Sequence, residues 1–462
     1  MSQTIRKFLK KNNQEHTRYI ALIGDAMVDI YHKVSVNRIS PEFPMPIMLT
    51  DPELHGSATY KPGGVANIAF GLRHFNATSE LFSFSDPLLD QVLAQNNLFG
   101  NSSISLQGYN GRVPVKHRYL DGHIQVVRWD EESRNYGLTD EQLKKFQKKM
   151  QSLMLRDSSC YRHAVLSDYN KGFFSGDENW IQYLPDSYTI VDPKAAPLSR
   201  WRGCEVFKPN YKEAVKLSGG LMNCDSQARY FKKELGCEAV LITCGGDGVK
   251  GFWRDEKIDF CPESKVKVLS VVGAGDTFCA GLALAVSHNF TGQEAVEIAY
   301  EFGSQYVQHD LNRPITPAEL SKDKIVEPED LAKRDYKLVF TNGCFDILHD
   351  GHLNTLRFAK SKGDKLVVAL NSDASIKRLK GEDRPIKKLE QRANLMAAFE
   401  FVDFVVSFDE DTPQEVLEKI RPDVLVKGSQ YELGKIVGAD IVKEVYRAPM
   451  VDGVSTTALI GR

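Results

Sequence analysis

Short apolar, β-branched runs alternate with helix-like segments along this chain of 462 residues, and the alternation stops once and then restarts. The first series is "YIALIGD" (19–25), "HAVLSDY" (163–169), "YTIVDPK" (188–194), "CEVFKPN" (204–210) and "AVLITCGGDG" (239–248). Runs of this kind separated by helices predict a parallel sheet with helices on both faces. Such sheets take ligands beyond the carboxyl ends of their strands. Here those ends are polar or glycine-rich: Gly24-Asp25, Ser167-Asp168, Asp192-Pro193-Lys194, Lys208-Pro209-Asn210 and Gly245-Gly246. A charged stretch poor in β-formers, "TPAELSKDKIVEPEDLAKRD" (316–335), precedes the second series: "KLVFTNG" (337–343), "KLVVALNSD" (365–373), "FVDFVVSF" (401–408) and "DVLVKGS" (423–429). Two α/β domains are therefore expected, 1–320 and 336–462, joined by a linker at 321–335.

The 59 basic and 61 acidic residues are interspersed and leave a net charge of −2. That balance lacks the basic stripe that nucleic acid or an anionic membrane requires, and small-molecule partners are expected instead. Eight cysteines, at 160, 204, 224, 237, 244, 261, 279 and 344, form no C-x-x-C pair and read as buried reduced thiols of a cytoplasmic protein. The start "MSQTIRKFLKKNNQEH" has no apolar h-region, and no run of 18 apolar residues occurs. Neither secretion nor a membrane span is expected.

Chemistry is concentrated in two turns. "VVGAGDTFCAGLALA" (271–285) joins a Gly-x-Gly turn to an acidic residue and an apolar helix beginning near Asp276. Open N–H groups and the helix dipole at such a start hold an anion, and a carboxylate there can take a proton from an attacking hydroxyl. A strand–helix turn capped by Asp276 is the plainer alternative. The chain has no G-x-x-x-x-G-K-[ST]. "PGGVANIAFGL" (62–72) and "GAGDTFCAGLALA" (273–285) together resemble the two signatures of the ribokinase-like (PfkB) sugar kinases. With "GDAMVDIY" (24–31), "NRISPEFPMPI" (37–47), "LSDYNKG" (166–172), "DPK" (192–194) and "KPNYKEA" (208–214), the resemblance narrows to heptose 7-phosphate kinases over most of 18–320.

That resemblance implies a three-layer sandwich with a small β-lid. It makes Asp276 the catalytic base and Gly273, Ala274 and Gly275 the backbone anion hole. Asn210, Tyr211, Lys212 and Glu213 would stand at the ATP phosphates, with Glu213 reaching Mg²⁺ through water, and Gly245, Gly246 and Gly248 along the nucleotide. Gly63, Gly64 and Asn67 would contact the sugar, with Asp25 or Asp29 on its hydroxyls and Arg38, Lys171 and Lys194 as candidate partners of its phosphate. Ser270 and Val272 stand where the family has the Asp and Thr of a monovalent-cation site, which puts potassium activation in doubt. "RVPVKHRYLDGHIQVVRWDEE" (112–132) alternates as a lid strand pair should, and a homodimer through that lid is expected.

"FTNGCFDILHDGH" (340–352) ends a strand at Asn342-Gly343 and sets His349 and His352 three apart at a probable helix start, with Gly351 between them. Two imidazoles on one helix face can donate hydrogen bonds to a phosphate as its charge grows. No third residue has the spacing of a metal ligand. The turn resembles that of the cytidylyltransferase-like nucleotidyltransferases, and "NSDASIKRLKGEDRPI" (371–386), "EQR" (390–392), "VKGSQY" (426–431) and "DGVSTTALI" (452–460) extend the likeness to heptose 1-phosphate adenylyltransferases over 337–460. It implies a Rossmann-like domain in which His349 and His352 meet the α- and β-phosphates. Asn342, Gly343 and Phe345 would line the nucleotide, and Lys377 or Lys380 would serve as mobile cations. Arg392 would face the nucleotide or the sugar phosphate, and Ser455, Thr456 and Thr457 would open the last helix at the triphosphate.

The combined expectation is a bifunctional enzyme that uses ATP and Mg²⁺ to make ADP-heptose. Two alternatives stay open on the sequence: a cytidylyltransferase acting on a polyol phosphate, and a kinase half that serves as a sugar-phosphate sensor or dimer platform.

Overall fold

The computed structural model describes residues 2–14, 17–49, 58–98, 103–105, 112–122, 124–132, 137–156, 163–184, 187–194, 197–262, 265–309, 313–321, 324–428 and 436–449. Two compact units divide at Ile315/Thr316.

The first unit carries fifteen strands among its described residues: β1 (Arg18–Gly24), β2 (Ala26–Lys33), β3 (Ser35–Ile39), β4 (Pro46–Leu49), β5 (Thr59–Gly64), β6 (Ala77–Ser83), β7 (Ser103–Ser105), β8 (Val115–Asp121), β9 (Ile124–Glu131), β10 (His163–Ser167), β11 (Tyr188–Asp192), β12 (Val206–Phe207), β13 (Ala239–Thr243), β14 (Val249–Trp253) and β15 (Glu256–Phe260). Nine of them form one sheet in the order β15-β14-β13-β12-β11-β10-β1-β6-β7, parallel from β13 through β7 and antiparallel only at β14 and β15. Its central strands are buried on both faces, as in β1, where Ala21 and Ile23 join one core while Ile20 and Leu22 are buried on the other side. Helices Asp140–Arg156 and Cys224–Leu235 cover the first face through Phe146, Met150, Ala228 and Phe231. Helix Ala274–Ser287 lies against helices Val65–Leu72 and Gly292–Tyr306 and is buried at every position from Asp276 to Ser287. That explains the apolar, small-residue sequence "FCAGLALAV": a helix enclosed on all sides has no polar stripe.

Immediately after β1 the chain leaves this sheet for a second one of order β5-β2-β8-β9, with β3 and β4 as a separate hairpin. The pair β8/β9 is the antiparallel lid ribbon expected from the alternation at 112–132. Asp25 stands at the crossing. Its carboxylate accepts the backbone N–H groups of Tyr169 (2.9 Å), Lys171 (3.0 Å) and Phe173 (3.0 Å), which fixes the loop after β10 beneath the lid.

The second unit has a five-stranded parallel sheet, β16 (Leu338–Gly343), β17 (Lys365–Asn371), β18 (Phe404–Phe408), β19 (Val424–Gly428) and β20 (Glu444–Ala448), in the order β18-β17-β16-β19-β20. Apolar clusters fill both faces, one around Phe340, Val367 and Leu417 and the other around Val368, Leu356 and Met396.

Two expectations are corrected. The described part of the expected linker, 324–335, packs on the second unit: Leu331 is fully buried in that unit's core, Ile325 bridges to Val405, and Lys324 donates from Nζ to the Phe399 carbonyl at 2.6 Å. Charge concealed this, because only Pro328 and Leu331 of these described residues are buried while Ile325 stays exposed and pairs through its backbone. The cysteines are not uniformly buried either: Cys204, Cys237 and Cys279 are, Cys224, Cys244 and Cys344 are half-buried, and Cys261 is exposed. All seven described thiols are free.

Candidate active sites

In the first unit, the carboxyl ends of β1, β10, β11 and β12 converge on the start of helix Ala274–Ser287. Asp276 is the third residue of that helix and caps nothing; the N-cap is Gly273, in the left-handed region at φ 82°. A Cβ on Gly273 would lie 2.5 Å from Asn67 Nδ2 and 2.6 Å from Tyr306 Oη, so only glycine lets the turn close against helices Val65–Leu72 and Gly292–Tyr306. The Asp276 carboxylate is buried and held from two sides, accepting from Tyr169 Oη at Oδ1 (2.5 Å) and from Asn67 Nδ2 at Oδ2 (2.9 Å). Burial pushes its pKa up to about 6, against the pull of these two hydrogen bonds. Above that pH it is a carboxylate with lone pairs left for a hydroxyl proton, at an uncapped helix start suited to a phosphate.

Lys208 lies behind this turn. Its ammonium is buried, 2.8 Å from Asp192, and 3.8 Å from where a Gly275 side chain would begin. Burial would lower its pKa, but the Asp192 carboxylate more than reverses this and keeps it cationic. The sequence marked Asp192 and Lys208 as strand ends without giving them a role and did not mark Tyr169, although it too follows a strand run, where the sheet rule directs attention.

The other candidate residues of the first unit fall into distinct places. Asn210 and Glu213 form a capping box on helix Tyr211–Leu217, each side chain accepting the other's backbone N–H at 2.9 Å. The second Glu213 oxygen accepts from Lys194 Nζ at 2.9 Å. Tyr211 donates to the Met222 carbonyl, and Lys212 is exposed. Gly245 and Gly246 form an exposed turn after β13 that Gly248 closes at φ 94°. Gly64 (φ 61°) closes β5 against Asp25, whose carbonyl would be 2.2 Å from an added Cβ, and Gly63 lies beside Asp29. Lys171 is held by Glu132 at 2.6 Å, and Arg38 is exposed on the β3/β4 hairpin.

Asp29 and Arg118 are both buried and joined twice, Nε to Oδ1 at 3.0 Å and an Nη to Oδ1 at 2.8 Å. Neither Asp25 nor Asp29 is therefore a bare acceptor; each organises its surroundings first. Removing one member of such a pair strands the other's charge. Arg118→Ala should lower the stability of this unit by about 3–5 kcal/mol. All four tryptophans, Trp129, Trp180, Trp201 and Trp253, lie in this unit, so thermal unfolding followed by indole fluorescence measures it selectively.

In the second unit, β16 ends at Asn342-Gly343 and the chain turns through Phe345 (φ 46°) to helix Asp350–Lys360, of which His349 is the N-cap and His352 the third residue. The two rings stack with centroids 3.9 Å apart, and Phe345 lies 5.0 Å from His352. The Nδ1 of each ring is buried without a hydrogen-bond partner among the described residues. A buried lone pair costs less to leave unmet than a buried N–H, so the proton belongs on Nε2, the atom left to donate. Burial lowers both pKa values; that of His352 falls to about 4, with His349 and Lys380 contributing. Both imidazoles are thus neutral donors near pH 7.

Lys427, at the end of β19, hydrogen-bonds Asn342 and has its pKa lowered to about 8 by burial. It is a further cation beside the β16 turn that the sequence did not single out. Lys377 pairs with Glu382 at 3.4 Å, and Lys380 is exposed. Arg392, expected to face the nucleotide or the sugar phosphate, is instead fully buried. It donates to the carbonyls of Lys387 (3.0 Å) and Cys344 (2.9 Å) and to Asp373 (2.7 Å), clamping the loops around the site. Ser455, Thr456 and Thr457 lie outside the described residues.

Family models match both halves: pfkB family carbohydrate kinase over residues 173–318 and cytidylyltransferase-like over 340–460. Solved structures share the fold of the first unit. Phosphofructokinase-2 from Escherichia coli in complex with potassium superposes with a TM-score of 0.53 at 17% identity, covering 67% of this chain and 98% of that one. Ribokinase from Thermotoga maritima does so at 0.51 and 20% identity, covering 66% and 98%. The fold and its two sites define a ribokinase-like carbohydrate kinase, a three-layer sandwich with a β-lid, fused to a Rossmann-like nucleotidyltransferase. Curated relatives match this fusion end to end. The "Bifunctional protein HldE" of Campylobacter fetus is 34% identical, covering 96% of this chain and 99% of that protein. Those of Campylobacter jejuni serotype O:2 and Caulobacter vibrioides are 36% and 34% identical, with 96% of each chain covered. The chain belongs to the HldE family of bifunctional proteins.

Proposed function

We propose that the first unit phosphorylates D-glycero-D-manno-heptose 7-phosphate at C1 with ATP, and that the second transfers AMP from ATP to heptose 1-phosphate, giving ADP-heptose and pyrophosphate. The observation that carries this reading is the similarity to HldE proteins over 96% of the chain, spanning both sites. In the kinase, Asp276 takes the proton of the C1 hydroxyl while Tyr169 and Asn67 hold its carboxylate in place. The helix start at Gly273–Gly275, with Lys208 behind it, offsets charge on the transferred phosphoryl group. Mg²⁺ bound with the nucleotide would supply charge neutralisation at its phosphates. Glu213 already accepts from Lys194 and from the Asn210 N–H, so it suits a contact through water rather than direct ligation. In the transferase, a sugar-phosphate oxygen attacks the α-phosphorus, and His349 and His352 donate from Nε2 to the phosphates as pyrophosphate leaves. Different leaving groups thus meet different cradles.

We place the protein in the cytoplasm, with ATP and sugar phosphates as its partners; no helix among the described residues is long and apolar enough to cross a membrane. A homodimer through the lid fits the exposed Ile39, Phe43 and Met45 of the hairpin and Ile124 and Trp129 of β9. Phe43→Lys combined with Trp129→Lys should halve the mass measured by light scattering, and an unchanged mass would dismiss this interface. Incubation with ATP, Mg²⁺ and the heptose 7-phosphate, followed by a sugar phosphatase, should yield ADP-heptose. Formation of neither a sugar bisphosphate nor a nucleotide sugar would refute the reading.

A further inference from the structure

We propose that Lys116, on lid strand β8, binds the phosphate that the acceptor sugar already carries, and so makes the kinase selective for a phosphorylated sugar. The proposal rests on the kinase reading above and adds the residue that enforces its substrate class.

Residues directly opposite in paired strands share a face, and alternate residues along a strand share it too. Lys116 stands opposite Asp29 on one side and Asp130 on the other, while Arg118 stands opposite Arg128. Lys61 of β5 stands opposite Asp29 on its other side, so the inner face of the lid carries four cations, Lys61, Lys116, Arg118 and Arg128, and two carboxylates, Asp29 and Asp130. Both carboxylates are taken, Asp29 by Arg118 at 2.8 Å and Asp130 by Arg128 Nε at 2.7 Å. Lys61 extends over the Phe70 ring, 5.1 Å from its centre, and Lys116 is left over beside Tyr169. Its ammonium makes no hydrogen bond or salt bridge among the described residues and lies 5.3 Å from the centre of the Tyr169 ring, whose hydroxyl donates to Asp276. Burial disfavours its charge, with only partial relief from Asp29 and Asp276.

The remaining cations nearby are occupied or remote. Lys194 lies 5.8 Å from the same ring but is bonded to Glu213, Lys171 is held by Glu132, Lys208 is paired with Asp192, and Arg38 is exposed on the hairpin. This half-buried cation, beside the tyrosine that holds the Asp276 carboxylate, has no hydrogen-bonding partner among the described residues until an anionic ligand arrives. A dianionic phosphate monoester meets that need, and a neutral sugar does not.

The test compares binding and turnover of heptose 7-phosphate and of the same heptose without its phosphate, for the unsubstituted protein, Lys116→Met and Lys116→Arg. The charge-assisted contact predicts that Lys116→Met weakens binding of the phosphorylated sugar, and raises its KM, by about 10- to 100-fold. Its effect on the unphosphorylated sugar should stay within about twofold, and arginine should recover part of the loss. Equal losses on both sugars would overturn the proposal by assigning Lys116 to the transferred phosphoryl group. No loss, or no preference for the phosphorylated sugar in the unsubstituted protein, would overturn it as well. The parent reading is judged separately by turnover in the unsubstituted protein, and unchanged indole-monitored melting excludes unfolding as the cause.

Discussion

Asp276→Asn should reduce phosphorylation of the heptose by about 10²- to 10⁴-fold while leaving adenylyl transfer by the same chain unchanged. The expected loss is that of a general base, because the amide keeps the size of the carboxylate and its contact with Tyr169 but cannot take the hydroxyl proton. The effect should appear in kcat more than in KM. A change confined to KM, or none, would reduce Asp276 to a structural residue. The same group dictates a pH limb. Only the carboxylate form works, so the rate should fall as pH drops through about 6. The stability change has the opposite sense. With the folded pKa raised from 3.8 to about 6, the native state holds the proton more tightly than the unfolded chain, and that advantage is lost as pH rises through this window. At pH 8 the buried charge costs on the order of 3 kcal/mol. The asparagine variant, having no such charge, should melt no lower than the parent at pH 8 by indole fluorescence. Slower chemistry without lower stability separates a lost base from a damaged fold.

The sequence made the architecture legible because strand runs buried on both faces are continuous apolar words, and each ended in the residues that structure brings together. Gly24-Asp25, Asp192 and Lys208 are all at sheet ends in this way. It was less informative wherever a polar residue's job depends on its neighbours across the fold. Nothing local to "NYKE" separates a capping box from a nucleotide contact, and the capping box is what the backbone N–H groups of Asn210 and Glu213 demand first. Arg392 is expected at the nucleotide or the sugar phosphate because the resemblance through "EQR" implies it; in the structure three acceptors from two loops and helix Asp373–Lys380 enclose it. Lys116 went unseen for the opposite reason. Its significance is that cations outnumber carboxylates on a strand face, which emerges only after the partners of Asp29 and Asp130 are known. The alternation at 112–132 did contain the face assignment, since Lys116 and Arg118 are two apart.

The second large effect is expected at the stacked histidines. His352→Ala should lower adenylyl transfer by about 10²- to 10³-fold, the usual consequence of removing one donor aimed at developing charge, and spare the kinase. His349→Ala should do nearly the same, and the double variant should fall well short of the product of the two losses. Rings 3.9 Å apart that donate to one triphosphate act as a unit, so the second deletion removes an interaction already misplaced by the first. Fully multiplicative losses would mean that the imidazoles act independently. The lowered pKa values add a discriminating pH experiment. A role as permanent cations would require activity to rise as pH falls through 6.5. Neutral donors with His352 near 4 predict that this imidazole adds no such rise between pH 6 and 8. His352→Gln tests the same point chemically, because an amide N–H can donate without ever carrying charge. Partial recovery over alanine would support donation by the neutral ring, whereas a glutamine variant as inactive as alanine would argue that the imidazole does something an uncharged donor cannot.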